Sequence, residues 1–531
     1  MDNAQLSDMG RTLDQASLNG RSLAVIPDTA AKEPAIHVPN VGSALLSAYE
    51  QLRIASENIE DHLLFQSALR RFYNRNLIFT SQKPPAELAS EMVIELTMAG
   101  YLKNNSVSLP TVQQLDALIA REYASYWDML VPDDRLKHRV AQKWVLESLS
   151  VKTEQLFHDP TELLAFGNFA YQHFVTLIDV KDFIVNDEKV AADDYQLILY
   201  IAVQKSLLRS NDANVRNVLY DMYASSIRNP TDLIRFHINY DRLAALKTTA
   251  KILQIINRNG APLRILRTSF FNSGKQPGLG TLQDKTATLA LFSRRIDEEG
   301  VRLRQKLRLG IVKSVVFLLI TKALIGILLE IPYDLYVRGS VATVPLVVNL
   351  LVPPLIIAVA GLSIRLPKND NKQAIIDYLA GLLYLPAAAH AKLRPPRRVA
   401  KSRAFNLFYA VIFLAVFYFV ARGLGMLGFN LLQGVIFFIF VSTASFLGYR
   451  LAFQVKEFEL VPSSEGFFGV IRETFYAPFV VMGRRISSRF ARLNIVAQVL
   501  DNVIELPLTT VLRLLRQWMA FLRNKQDEIG G

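Results

Sequence analysis

The chain has 531 residues, of which 51% are hydrophobic and 20% are charged. This composition is apolar for a soluble protein and too charged for a chain that lies wholly in a bilayer. It indicates a membrane region joined to water-soluble parts. The sequence has no cysteine, which excludes disulfides, thiolate metal sites, iron–sulfur clusters and thiol catalysis.

The net charge of +13 comes from one half of the chain. Residues 1–300 have 32 Lys and Arg against 35 Asp and Glu, whereas residues 301–531 have 28 against 12. Basic loops beside membrane spans follow from membrane topology, so the excess of positive charge requires no nucleic acid. We therefore expect no nucleic-acid partner.

The N-terminal half divides into a tail and a helical domain. Residues 1–42 are rich in small polar residues and lack a signal peptide, which predicts a disordered tail with a short helical turn around 18–26. Residues 43–271 have helical periodicity, which predicts a cytoplasmic all-α domain of about eight helices. Helix starts are indicated by a capping box from Thr111 to Gln114, by Asp159 and Asn229 before prolines, and by Pro84–Pro85.

The C-terminal half contains the membrane region. Residues 272–312 are predicted to form a flexible joint, with the sequence NSGKQPGLG at 272–280, followed by a juxtamembrane helix that runs into the first span. Each of the four apolar runs reaches or approaches the length of about 20 residues that a spanning helix needs. The predicted fold is all-α, with four transmembrane helices in two hairpins at about 313–337, 341–364, 404–422 and 428–453 within the region 313–453.

Basic residues predict the orientation of these spans. The approach at 301–313 has five Lys and Arg and the central loop at 365–403 has nine, whereas the first short turn has only Arg338. Since cytoplasmic loops are enriched in Lys and Arg, both termini and the central loop are predicted to lie in the cytoplasm. We expect a multi-pass protein of the plasma membrane.

Two further apolar stretches are predicted to lie at the membrane surface. Residues 374–391 contain Asp377, Pro386 and His390, which favours an interfacial or re-entrant helix. Residues 454–531 are predicted to be a cytoplasmic amphipathic region. Basic residues at this surface are expected to contact anionic inner-leaflet lipids, with Arg397, Arg398, Arg484, Arg485, Arg513 and Arg516 as candidates.

Ionisable side chains inside the spans are the sharpest candidates for function, because a charge in hydrocarbon needs a partner or water. Lys322 and Glu330 both lie in the first span. Eight residues separate them, which is too far for a direct pair on a regular helix, so partners are expected from other spans. The predicted polar site comprises Lys322, Glu330, Asn349, Ser442, Thr443 and Ser445, with Pro345, Pro353 and Pro354 predicted to break the second span.

Two interpretations of this site stay open. In the first, the polar residues form a pathway through the helix bundle. In the second, Lys322 reaches the inner interface, Glu330 lies near the outer headgroups, and the prolines only bend a packed helix. The sequence favours the second interpretation because it offers one lysine and one glutamate only.

Catalytic patterns are missing from the sequence. No span contains a histidine or an aspartate pair, and the seven histidines form no HExxH motif. We therefore expect no enzyme activity, no cofactor and no metal site. The leading hypothesis is a non-enzymatic membrane protein whose helical domain binds or scaffolds protein partners at the inner leaflet. The alternative is a transporter or channel subunit. It would require a homo-oligomer, because two helical hairpins are too few to enclose a pore.

Overall fold

The structure is a computed structural model. It is all-helical, with 83% of residues in helices and no strand among the residues that it describes. This confirms the predicted all-α class. The described residues are 5–22, 35–38, 43–47, 50, 63–77, 79–81, 83–131, 138–185, 188–271, 281–364, 367, 369–385, 392–395, 403–461, 467–493 and single positions between 507 and 522.

The chain forms two compact units, which we call the helical unit and the membrane unit. The helical unit comprises Thr12–Gln254 with Val496–Gly531, and the membrane unit comprises Met1–Arg11 with Ile255–Ile495. The predicted joint at 272–280 lies outside the described residues. The division between the units falls between Gln254 and Ile255, within the helix Lys247–Asn259.

Ten α-helices with described bounds belong to the helical unit, although α1 begins and α10 ends in the membrane unit. The first occupies part of the segment predicted to be disordered, and it buries Leu13 completely. Burial of an apolar face stabilises a helix that its polar sequence alone does not predict. The bounds are α1 Asp8–Ser22, α2 Leu64–Asn76, α3 Leu88–Met98, α4 Leu109–Leu130, α5 His138–Phe157, α6 Thr161–Leu177, α7 Asp194–Val203, α8 Asp212–Tyr223, α9 Pro230–Ala245 and α10 Lys247–Asn259.

The predicted helix starts are partly correct. Asn229 caps α9, since its side chain accepts a hydrogen bond from the backbone of Asp232 at 2.8 Å. The capping box predicted at Thr111 is wrong, because α4 already begins at Leu109 and Ser108 occupies the N-cap position. Thr111 lies in the first turn, where its hydroxyl contacts that of Ser108 at 3.0 Å.

A buried aromatic and ionic cluster links three helices of this unit. Trp144 on α5 stacks on His237 of α9, with ring centroids 4.6 Å apart, and its indole donates to Asp241 at 3.1 Å. Arg216 of α8 donates to the same carboxylate at 2.5 Å. Burial, and then the nearby positive charges of Arg216 and Lys152, lower the pKa of His237 from 6.5 to about 3. The histidine is therefore neutral in the folded protein at physiological pH.

Replacing His237 with glutamine should remove a source of acid instability. A histidine with a depressed folded pKa opposes folding once the pH falls below its unfolded value of 6.5. Relative to His237→Gln, the wild type should lose about 1.4 kcal/mol of stability per pH unit between pH 6.5 and 4. Thermal unfolding followed by intrinsic fluorescence measures the difference. His37→Gln, at an exposed position, is the control, and an equal slope for both variants would contradict the assignment.

Eight further α-helices with described bounds belong to the membrane unit. They include four candidate spans that are long and apolar enough to cross a bilayer, and the first span comprises two of these helices. The first candidate span is continuous from Lys285 to Val337, so a single helical segment includes the predicted juxtamembrane helix and the first apolar run. The bounds are α11 Ala261–Phe270, α12 Lys285–Ile325, α13 Ile331–Arg338, α14 Thr343–Ser363, α15 Asn369–Tyr384, α16 Arg403–Met426, α17 Leu431–Lys456 and α18 Phe467–Leu493, with a π-helical turn at Gly326–Glu330 between α12 and α13.

The second span, α14, is continuous, so the predicted break at its prolines is wrong. Pro345 lies in the first turn, where a backbone N–H has no partner within the helix. Pro353 and Pro354 lie inside the helix and are buried. Packing against neighbouring helices keeps the helix intact there, although the carbonyls of residues 349 and 350 lose their usual donors.

Helix α15, which covers the first part of the predicted interfacial or re-entrant segment, packs on other helices of the membrane unit. Leu379 and Leu383 are completely buried, and Lys372 pairs with Asp297 of α12 at 2.7 Å. The hydroxyl of Tyr384 donates to the carbonyl of Leu282 at 2.9 Å. Its apolar face is thus used in packing, and the remainder of the predicted segment, 386–391, lies outside the described residues.

Helix α18, within the segment 454–531 predicted to be a cytoplasmic amphipathic region, lies against the middle of α17. The hydroxyl of Tyr476 donates to the carbonyl of Ser445 at 2.7 Å. A Cβ at Gly483 would lie 2.0 Å from the carbonyl oxygen of Ser442, so only glycine permits this approach. Phe479 extends the contact, since its ring lies 5.1 Å from that of Phe417 on α16. Aromatic packing and a close glycine contact, which composition does not reveal, hold α18 there.

Candidate functional site

Buried polar side chains gather where α12, α14 and α17 pack together. These three helices contact one another, and the π-helical turn at Gly326–Glu330 also contacts α14. The exposed fraction is 2% for Lys322, 1% for Glu330 and 0% for Asn349. Complete burial between helices differs from the expectation that Lys322 reaches the inner interface and Glu330 the outer headgroups.

Lys322 and Glu330 form a direct ion pair, which the sequence argument excluded. In a regular α-helix of about 3.6 residues per turn, residues eight apart lie about 80° apart around the axis. The π-helical turn before Glu330 holds an extra residue and rotates Glu330 back towards the face of Lys322. The ammonium also lies 5.0 Å from the ring centroid of Phe440 on α17, a cation–π distance.

Asn349 connects the ion pair to the two other helices. Its Nδ2 donates to both oxygens of Glu330, at 3.0 and 3.1 Å, and to the backbone carbonyl of Gln433 at 3.3 Å. These three acceptors fix the orientation of the amide. Its Oδ1 is buried and has no hydrogen-bond partner among the described residues. The amide therefore stabilises an ionised Glu330 while leaving one acceptor unused.

A second carboxylate lies one helical turn from Glu330 towards the α13–α14 loop. Asp334 is 1% exposed and accepts hydrogen bonds from Asn430 Nδ2 at 2.7 Å, Gln433 Nε2 at 2.8 Å and the backbone of Ala342 at 3.2 Å. Asn430 is the N-cap of α17 and Ala342 that of α14. Both helices present their positive dipole ends to Asp334, which compensates its charge.

The other predicted site residues lie apart from this network. The hydroxyls of Ser442 and Ser445 are buried without partners among the described residues. Thr443 donates to the carbonyl of Ile439 in its own helix at 2.8 Å. Its hydroxyl is therefore used within α17.

An apolar layer separates the polar network from the other end of the bundle. Leu318, Ile357 and Ala444 supply one side chain from each of α12, α14 and α17, and they form one buried cluster. Leu318 precedes Lys322 by one turn, on the side of the central loop. Lys322, Glu330, Asn349 and Asp334 therefore lie on the side of this cluster that faces the short connections, whereas the buried hydroxyl of Ser445 lies next to Ala444.

The predicted lipid-contacting arginines are only partly described. Arg484 and Arg485 are exposed on α18. Arg397, Arg398, Arg513 and Arg516 lie outside the described residues.

Three residues of the network were not predicted from the sequence, namely Asp334, Asn430 and Gln433. One signal was available for the last two, since Asn430 and Gln433 form a capping box at the start of α17. The spacing of four residues between Glu330 and Asp334 indicates a shared helix face. Together these signals place two carboxylates beside a polar helix start.

Comparison with known proteins gives no function for this chain. No protein family, no curated protein and no solved structure matches it. The function of the protein must therefore be inferred from the residues of the site.

Removing one member of the ion pair should cost far more than removing both. Lys322→Met leaves a buried carboxylate without its countercharge, which we expect to cost about 3–5 kcal/mol. The double variant Lys322→Met with Glu330→Leu should be near neutral, because an apolar pair replaces two desolvated charges. Thermal unfolding in detergent measures both.

Arg302→Met is the matched control, since Arg302 pairs with Glu299 on the exposed surface of the same helix. It should cost at most about 1 kcal/mol. Equal losses for the single and double variants would contradict the buried pair.

Proposed function

We propose that this chain is a transporter or channel subunit of the cell membrane, with a route that includes Lys322, Glu330 and Asn349. The observation that carries the proposal is the complete burial of a lysine and two carboxylates inside a bundle of apolar helices. Ionisable groups within a bilayer are costly, and they are characteristic of ion and substrate pathways.

The orientation belongs to the same proposal. The basic residues of the approach at 301–313 and of the central loop place these segments in the cytoplasm by the positive-inside rule. Both termini are then cytoplasmic, and the short connections at Gly339–Ala342 and Leu427–Asn430 face outward. In this orientation the buried polar network lies on the outer side of the apolar cluster of Leu318, Ile357 and Ala444.

Other roles stay predictions. The exposed apolar residues Leu109 and Val131 of the helical unit flank opposite ends of α4, so this pair forms no single docking patch. Contacts of Arg484 and Arg485 with anionic lipids also stay a prediction.

Ion movement through reconstituted protein tests the proposal. Purified protein in liposomes should carry a current or flux when gradients of Na⁺, K⁺, H⁺ and Cl⁻ are imposed in turn. The variant with Lys322→Met and Glu330→Leu should fold but lower the flux by at least about tenfold, since it removes the charges of the route.

Arg302→Met, which changes an exposed pair on the same helix, should keep the wild-type flux. No flux for any of these ions, or wild-type flux from the double variant, would contradict the proposal.

A further inference from the structure

The polar network contains three titratable side chains, and they are all on one stretch of helix. Lys322 and Asp334 lie on either side of Glu330 along the chain, each within about two turns of it. Helix α14 has no ionisable residue and presents the amide of Asn349. Helix α17 presents Gln433 and Phe440, while its titratable residues Tyr449, Arg450 and Lys456 lie near its other end. Glu330 is thus the only carboxylate in this described network that faces a cation.

The groups around Glu330 select the kind of ion that it can take. The carboxylate oxygens of Glu330 accept hydrogen bonds from the Nζ of Lys322 and the Nδ2 of Asn349. A metal cation requires several oxygen ligands and would face N–H groups and an ammonium at this position. A proton requires one oxygen and no coordination shell. Resting on the transport function proposed above, we propose that Glu330 is a binding site for a proton, which the protein transports or uses as its coupling ion.

Asp334 provides the entrance for this proton. It lies one turn from Glu330 on the same helix, beside the starts of α14 and α17, and the next connection includes the exposed residues Gly339 and Ser340. Residues four apart on a helix are neighbours, so a proton can pass between the two carboxylates directly or through one water. On the opposite side the cluster of Leu318, Ile357 and Ala444 is apolar, with the buried hydroxyls of Ser442 and Ser445 next to it in α17. In this arrangement the proton enters from the outer surface.

The transfer changes the charge of the cluster by one. Hydronium in the outer solution gives a proton to the carboxylate of Asp334, which passes it to Glu330 and becomes a carboxylate again. Water is left outside, and Lys322 keeps its own proton. The Lys322–Glu330 pair then becomes an ammonium beside a neutral acid, and a buried ammonium without a countercharge is unfavourable.

Release of Lys322 provides a way to open the bundle towards the cytoplasm. The side chain of Lys322 lies one turn from the apolar layer, and the buried hydroxyls of Ser442 and Ser445 on α17, which have no partner among the described residues, can accept hydrogen bonds from an ammonium. Protonation of Glu330 thus releases Lys322, and movement of Lys322 towards Ser442 and Ser445 separates the side chains of the apolar layer. The Oδ1 of Asn349, which has no described partner in the ionised state, is available to a protonated Glu330 if the amide rotates.

A single cysteine in the apolar layer tests this coupling, because the natural chain has no cysteine. The full-length protein with Ala444→Cys is reconstituted in liposomes and labelled with a membrane-permeant maleimide while the outer pH is varied from 8 to 5. A layer that opens from a minor to a major state should raise the labelling rate by about tenfold or more at low outer pH. Ser363→Cys, at an exposed position on α14, corrects for the intrinsic pH dependence of thiol reactivity.

Two variants separate proton binding from other effects of pH. Glu330→Gln mimics the protonated acid, so in the Ala444→Cys background it should give fast labelling of the introduced thiol at every pH. Asp334→Asn should slow the change in labelling rate that follows a change of outer pH. Glu330 and Lys322 are both retained in this variant. If Glu330→Gln does not fold, the pH response of the Ala444→Cys background and its slowing by Asp334→Asn remain the test.

The outcomes distinguish this inference from the proposed function. Labelling that is independent of outer pH and of Glu330→Gln would overturn the proton site, even if ions other than protons move through the protein. Labelling that depends on both, in a protein that carries no ion flux, would support the proton site and overturn transport. Both results together with proton flux would support both proposals.

Discussion

The burial of the Lys322–Glu330 pair is the constraint on which the membrane unit depends. A lysine and a glutamate in hydrocarbon cannot stay charged without close partners, and here each partner is the other. Asn349 then attaches the pair to α14, and its contact with Gln433 attaches α14 to α17. Three helices are thereby held in one register by three polar side chains and one backbone carbonyl. Apolar packing alone would leave this register weakly defined, because lipid chains are as apolar as the helices themselves.

The π-helical turn makes the pair possible. Without it, Glu330 would lie on a different face of the helix from Lys322 and would point away from Asn349. Wide turns of this kind are infrequent in helices and are often found at functional sites. The chain thus departs from regular helix geometry at the place where its charges are buried, and the departure brings acid, base and amide together. The same rotation places Asp334 beside the starts of α14 and α17.

Much of the architecture follows from the sequence, but the site does so only in part. The four spans, the helix that runs into the first span and the cap at Asn229 are read from hydropathy and local patterns. Lys322, Glu330 and Asn349 are recognisable because charged and amide groups are unfavourable in hydrocarbon. The direct contact between Lys322 and Glu330 could not be predicted, because a prediction from residue spacing takes the helix to be regular. Pro353 and Pro354 illustrate the opposite error, since tertiary packing keeps a helix intact where local chemistry predicts a break.

Solid-state NMR can measure the central contact directly. Lysine labelled with ¹⁵N at Nζ and glutamate labelled with ¹³C at Cδ, in protein reconstituted in bilayers, report on every lysine–glutamate contact through dipolar dephasing. Lysine–glutamate pairs in the helical unit, such as Lys152 with Glu122, are also present in Lys322→Met. Their dephasing therefore cancels when the Lys322→Met signal is subtracted from that of the wild type. The buried pair predicts a short-range dephasing component in the wild type that Lys322→Met lacks. Identical dephasing in both samples would contradict a contact between Lys322 and Glu330.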